Sequence, residues 1–278
     1  MSVLVSLVVM LGMLVIVPVG LRLLETPGAP PAPGLSALRR LWPLPASLGA
    51  VALWLPRGGT AVALAACYAL ATLVLALHAP LRLMRTRSLA PAEIAALTAL
   101  VTPAVAGVSL VAERGGHALL GFGPPVLRLT VAHFHFAGFA AALVAGLVCR
   151  AVDGRAGRFA ALSVPLGTLL VLTGFFTGDR TELAGAVVLT AGMWTVSLLT
   201  WRDIRTRGGT RGVRAFLAVS ACVLPVTMAL ALSWALGEAT GLPHPTLTWM
   251  AATHGLGNAL GFALCSVLAW RRLKETPA

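Results

Sequence analysis

The chain has 278 residues, of which 58% are hydrophobic and only 11% charged, with a mean hydropathy of +0.90. A soluble domain carries about 25% charged residues, so the composition excludes a soluble globular domain, a disordered tail, a disulfide scaffold and a nucleic-acid module. The net charge of +12 comes from 21 basic residues, all arginine except Lys274, scattered between apolar stretches; that pattern belongs to membrane topology.

The fold class expected is all-α: a polytopic transmembrane helix bundle, with residues 1–278 as one integral-membrane domain. A hydrocarbon core of about 30 Å takes about 20 apolar residues per helix. The first candidate, 2–22, has no basic stretch ahead of it and meets its first positive charge only at Arg22, so it reads as a retained helix rather than a cleaved leader. Gly28-Ala-Pro-Pro-Ala-Pro-Gly34 follows as a short rigid linker. The second candidate, 41–56, is short and interrupted at Trp42-Pro43-Leu44-Pro45. The others are 60–81, 92–112, 125–149, 159–177, 181–201, 213–236 and 246–270. The count is nine, or eight without 41–56.

Charge tests the count independently. With odd-numbered connections inside, 17 of the 21 basic residues fall on the inner face, leaving only Arg57, Arg114, Arg128 and Arg180 outside. This positive-inside bias places the N-terminus outside and the C-terminus in the cytoplasm. Cys67, Cys149, Cys222 and Cys265 form no CxxC pair and read as small core hydrophobes.

Polar residues then become informative. His117, His133, His135, His244 and His254 fall on the outer side, with Glu113, Asp179, Glu182 and Glu238. His133 and His135 lie about 10–14 Å along the 125–149 segment, and His254 about 12 Å into 246–270, at 1.5 Å per residue. Ionisable groups within a bilayer are costly and usually face a bundle interior or wet cavity. The expectation is an outward-facing polar pocket.

In Arg128-Leu-Thr-Val-Ala-His133-Phe-His135, a regular helix aims the two imidazoles about 200° apart, so they cannot share a metal ion. One enters the pocket while the other bonds a neighbouring helix, or both are interhelical hydrogen-bonding groups. Arg128 orients substrate or snorkels to headgroups. In Thr253-His254-Gly-Leu-Gly257-Asn258-Ala-Leu-Gly261, His254 and Asn258 stand at i and i+4 and share a face, while Gly257 and Gly261 form a GxxxG that admits a close helix. Asp179 and Glu182 have the spacing of an N-terminal capping pattern or supply a proton donor, with Arg180 holding an oxygen-bearing group. Glu238 sits at a helix C-terminus, where the dipole disfavours an anion. Trp249 belongs to an interfacial belt or lines a substrate cavity. Lone His78, nearer the inner side, reads as a satisfied core residue.

The segments Val-Ala-His133-Phe-His135-Phe-Ala-Gly-Phe and Thr253-His254-Gly-Leu-Gly-Asn258-Ala-Leu-Gly-Phe resemble the two marked helical segments of the YndJ-like bacterial membrane proteins. The resemblance runs from about the third helix to the ninth. It implies a polytopic topology and these candidate residues rather than a reaction, and the chain is short beside longer members with additional domains.

Taken together, the residues point first to an integral-membrane enzyme doing acid–base chemistry on a lipophilic small molecule: isomerisation, epoxide opening or cyclisation. His133 or His135 and His254 act as base or proton shuttle, Asp179, Glu182 or Glu238 as acid, and Arg128, Asn258, Arg180 and Trp249 bind substrate. The partners are the lipid bilayer and that substrate, with no nucleic acid, and no cofactor or metal is expected. A small-molecule or proton-coupled transporter is the alternative, although no inverted repeat or paired broken helices speak for it. A haem or metal protein ranks third, because three deep outer histidines offer few ligands.

Overall fold

The computed structural model describes residues 2–24 and 34–275. Of the expected linker, Gly28 to Pro33 lie outside the described residues. The chain runs through α1 (Val3–Leu23), two short helices α2 (Leu35–Leu41) and α3 (Pro43–Ala52), then α4 (Gly59–Thr86), α5 (Pro91–Gly115), α6 (Pro124–Ala151), α7 (Arg155–Thr177), α8 (Asp179–Arg207), α9 (Arg211–Thr240) and α10 (Leu247–Glu275). Eight of these, all but α2 and α3, are long and apolar enough to cross a membrane, the lower of the two expected counts.

The missing ninth helix is a broken one. Pro43 and Pro45 remove two backbone N–H groups, which interrupts the hydrogen-bond ladder, yet Trp42 keeps a right-handed helical backbone and its carbonyl still accepts from the Ala46 N–H at 3.1 Å. A Cβ added at Gly34 would stand 3.4 Å from His78 Nε2, whereas Gly58 leads directly into α4. The 34–58 segment therefore runs antiparallel to α4 from the level of His78 to that of Gly59, about 28 Å at 1.5 Å per residue. That is the thickness of a hydrocarbon core, covered by two helices that are each too short alone.

Two compact units result: residues 1–88 with 97–140, and residues 89–96 with 141–278. Helices α5 and α6 each contribute to both.

In the first unit, α4 shows how the sequence sorts its faces. Ala61, Ala65, Tyr68, Ala69, Thr72 and Leu75 are buried, while Leu70, Leu73, Val74, Leu77, Leu81 and Met84 are exposed. Apart from Leu75, small and polar residues point in, and large apolar ones point out. In water such a stripe would be a liability; lipid is its natural solvent, because small residues let helices approach while large ones meet acyl chains equally well inside or out. The same logic corrects the expectation for the cysteines: Cys67 and Cys222 are exposed and Cys149 and Cys265 half-buried. A weakly polar thiol loses nothing by facing hydrocarbon.

In the second unit, α7 and α8 pack along a glycine seam. A Cβ at Gly167 or Gly174 would come within 2.5 Å of the backbone of Leu189 or Glu182, and one at Gly185 or Gly192 would collide with Val171 or Ser163. Each glycine pair is seven residues apart, the repeat that keeps one face of a helix against its partner. The Gly257/Gly261 pair of α10 does the same against Thr227 and Val223 of α9, with approaches of 2.9 and 2.6 Å.

Candidate functional site

The expected site residues fall in different units. His133, His135 and Arg128 belong to the first; Asp179, Arg180, Glu182, Glu238, Trp249, His254 and Asn258 belong to the second.

His135 stands in a π-helical stretch, Phe134–Ala140, within α6. It is fully buried, as is Tyr68 of α4. Its Nδ1 donates to the Val131 carbonyl at 2.6 Å, which makes Nε2 the acceptor; the Tyr68 hydroxyl donates to Nε2 at 2.6 Å. The chain builds around this pair. A Cβ at Gly12 would lie 2.8 Å from the His135 ring and one at Gly49 2.8 Å from Tyr68. Trp42 packs edge-on against Tyr68 with centroids 5.9 Å apart and donates from Nε1 to the Met13 carbonyl at 2.9 Å, inside the π-helical turn Gly12–Ile16 of α1. Both ring nitrogens of His135 are thus engaged in a sealed core, while His133 is half-buried and packs edge-on against Phe134.

Arg128 joins a second cluster in this unit, centred on Glu113, whose side chain is only 1% exposed. Arg57 NH2 reaches Glu113 Oε1 at 2.9 Å; Arg128 reaches the same oxygen with NH2 at 2.6 Å and Nε at 3.1 Å. Arg114 donates NH2 to Oε1 at 2.7 Å and Nε to Oε2, and its NH1 reaches the carbonyls of Ala52, Leu53 and Leu55 at 3.2–3.4 Å. These arginines, with Ser6, Leu53 and Trp54, border a cavity of about 350 Å³.

In the second unit, His254 lies in the π-helical turn Ala251–Gly255 of α10 and Asn258 in the following one, Gly257–Leu264. Such turns recur at functional sites. His254 Nδ1 donates to the Thr227 carbonyl at 2.7 Å. The Thr227 hydroxyl donates to Asn258 Oδ1 at 2.9 Å, which leaves the Asn258 amide nitrogen against the His254 ring, 3.3 Å from Nε2 and 3.4 Å from Nδ1. The Thr227 carbonyl thus fixes the His254 tautomer and the Thr227 hydroxyl fixes the Asn258 amide.

The acids sit nearer the helix ends. Asp179 does not cap α8: Gly178, with φ of 117°, holds the cap position without a side-chain bond, and Asp179 is the first helical residue. Only glycine adopts that backbone readily, which displaces the acid by one position. Asp179 and Arg180 are exposed, and Glu182 is half-buried where α8 crosses Gly174. Glu238 pairs with His244 Nε2 at 3.0 Å, which offsets its unfavourable place at a helix C-terminus. The His244 ring rests on Gly237 and edge-on to Trp234. Trp249 is exposed on the first turn of α10. His78 donates from Nδ1 to the Val74 carbonyl at 2.9 Å and is buried. Among the described residues, no three of His, Cys, Asp and Glu gather as a metal ion requires.

A family model described as YndJ-like protein matches residues 7–262. The chain belongs to the YndJ-like family. The match starts inside α1, so it takes in all of the first unit from residue 7 onward as well as the His135 and Asn258 segments. Among curated relatives, a protein of Bacillus subtilis (strain 168) named "Uncharacterized membrane protein YndJ" is 26% identical over 239 residues, covering 85% of this chain and 42% of the relative. The chain therefore spans less than half the length of that relative. No solved structure matches.

Sequence reasoning missed two features of this YndJ-like chain. Tyr68, its one tyrosine, sits in the middle of an apolar helix, where a phenol needs a partner; that was the available signal. The cluster of Glu113 with Arg57, Arg114 and Arg128 was visible only in pieces: Glu113 as an outer-side acid, Arg128 as a candidate substrate contact, and the three arginines as exceptions to the positive-inside pattern.

Proposed function

We propose that the chain is an integral-membrane enzyme that moves protons on a lipophilic substrate by isomerisation, epoxide opening or cyclisation, in a bacterial cytoplasmic membrane with the residue-1 side external. The observation that carries this reading is the oriented imidazole of His254. With Nδ1–H committed to the Thr227 carbonyl, the basic lone pair stays on Nε2, in a half-buried stretch of α10 open to a substrate in a way that His135 is not. A backbone carbonyl that fixes the tautomer is the usual means of orienting a histidine base. Asn258 and Thr227 are positioning residues: Thr227 holds the ring through its carbonyl and Asn258 packs its amide against the ring. Asp179, Glu182 and Glu238 supply acids in the same unit, with Arg180 and Trp249 as substrate contacts.

A proton-transfer group is worth roughly 10²–10⁴-fold in rate. Untargeted mass spectrometry of solvent-extracted membranes from cells expressing the protein tests the reading. A lipophilic product should accumulate with the wild-type protein and with His78→Ala, and fall roughly 10²-fold or more with His254→Ala at equal yield of folded protein. Asn258→Ala should fall less. Identical extracts in all strains, or a joint loss of yield in every histidine variant, would overturn it.

A further inference from the structure

We infer that the cavity bordered by Arg57, Arg114 and Arg128 binds a phosphate-class anion carried on an apolar body, a function independent of the chemistry at His254. Among the described residues the charges of this cluster do not balance. Three guanidiniums surround one carboxylate, leaving two positive charges, and a phosphate monoester carries about −1.5 to −2.

The hydrogen bonds do not balance either. Glu113 Oε1 accepts from Arg57 NH2, Arg114 NH2, Arg128 NH2 and Arg128 Nε, four donors on an oxygen with two lone pairs. An oversubscribed acceptor releases donors readily to a second anion. Arg114 is spent, its remaining NH1 being tied to the α3 end. Arg57 and Arg128 are not: among the described residues the one engages only NH2 and the other only NH2 and Nε, and their side chains are 44% and 25% exposed at the cavity. Their planar forks suit the paired oxygens of a phosphate.

Placement supplies the apolar half of the ligand. Val3 begins α1, Arg57 precedes α4, Glu113 and Arg114 end α5, and Arg128 lies in the first turns of α6. The cavity is therefore at the level of span ends, where headgroups lie, and Val3, Leu53, Trp54 and Leu55 complete its wall. These arginines also run against the charge bias that sets topology, carrying three of the four basic residues on the depleted side. Binding a ligand explains why they are there.

The same phosphate chemistry comes as a lipid headgroup or as the free ion, and the test separates the two. The purified full chain in neutral detergent is titrated with inorganic phosphate and with dihexanoyl phosphatidic acid, against sodium chloride at matched ionic strength, with thermal stabilisation and titration calorimetry as readouts. We expect saturable binding that weakens roughly tenfold or more in Arg57→Gln and in Arg128→Gln, as for loss of a charge-assisted bond. Phosphatidic acid binding alone, or more tightly than inorganic phosphate, supports the proposal; equal binding of the free ion overturns its apolar half. Arg57 is sufficiently exposed that Arg57→Gln decides the matter if Arg128→Gln does not fold. No saturable binding above chloride, or binding unchanged in Arg57→Gln, overturns the proposal.

Discussion

Replacing Tyr68 by phenylalanine removes a single oxygen from the middle of the first unit, and the geometry sets what that costs. The Tyr68 hydroxyl and His135 Nε2 are 2.6 Å apart and both residues are fully buried. His135 cannot turn to recover a partner, because its Nδ1–H is held by the Val131 carbonyl and its ring is pressed against Gly12. A water in the space vacated, at most about one water in size, would need two or more polar partners, and among the described residues the hydroxyl it would replace bonds only Nε2. An unsatisfied buried acceptor costs about 1–3 kcal/mol. Interhelical hydrogen bonds in membrane proteins average about 0.6 kcal/mol, with a maximum near 1.7, because the unfolded chain in lipid also finds partners. Tyr68→Phe should therefore destabilise by about 1–2 kcal/mol. Removing the imidazole as well, in Tyr68→Phe/His135→Leu, should cost less than the sum of the single changes, since no orphaned acceptor remains. Denaturant-induced unfolding in mixed micelles, run as a double-mutant cycle, measures the coupling. A coupling energy indistinguishable from zero would refute the hydrogen bond as a source of stability.

Two further outcomes follow from the packing and the charges. Gly174→Val, which places a side chain where the α8 backbone comes within 2.5 Å, should lower unfolding stability by about 1–3 kcal/mol or more, while Gly59→Ala, with nothing within 4 Å, should leave it nearly unchanged; equal effects would discount the glycine seam. Reporter fusions after residues 117, 180 and 242 should read as external and those after 87, 155 and 208 as cytoplasmic, in line with the positive-inside bias; a reversal at any adjacent pair would break the count of crossings.

Much of the fold was legible because it follows from local rules. Apolar runs of about 20 residues are membrane spans whatever their neighbours do, and the arginine bias needs only their order. The His254/Asn258 pairing is likewise local, since residues at i and i+4 meet on any helix, and the Gly257/Gly261 contact with α9 needs only two small residues on one face. The seven-residue glycine spacing of α7 and α8 was equally present in the sequence.

What the tertiary structure alone decided is which faces meet. In a soluble helix the polar side betrays the buried one; here Leu70 toward lipid and Leu75 toward the core are the same residue type, so hydropathy carries no direction. Tyr68 therefore could not be matched to His135, 67 positions away, nor Glu113 to Arg57, 56 positions before it. The same ambiguity hid the exposure of Cys67 and Cys222. The proline pair at Pro43 and Pro45 announced a broken ladder, but only the contact of Gly34 with His78 revealed that the broken helix still runs the length of α4. Hydrogen bonds and ion pairs across such distances are fixed by packing, because in hydrocarbon each buried polar group takes whichever partner the close approach of small residues brings within reach.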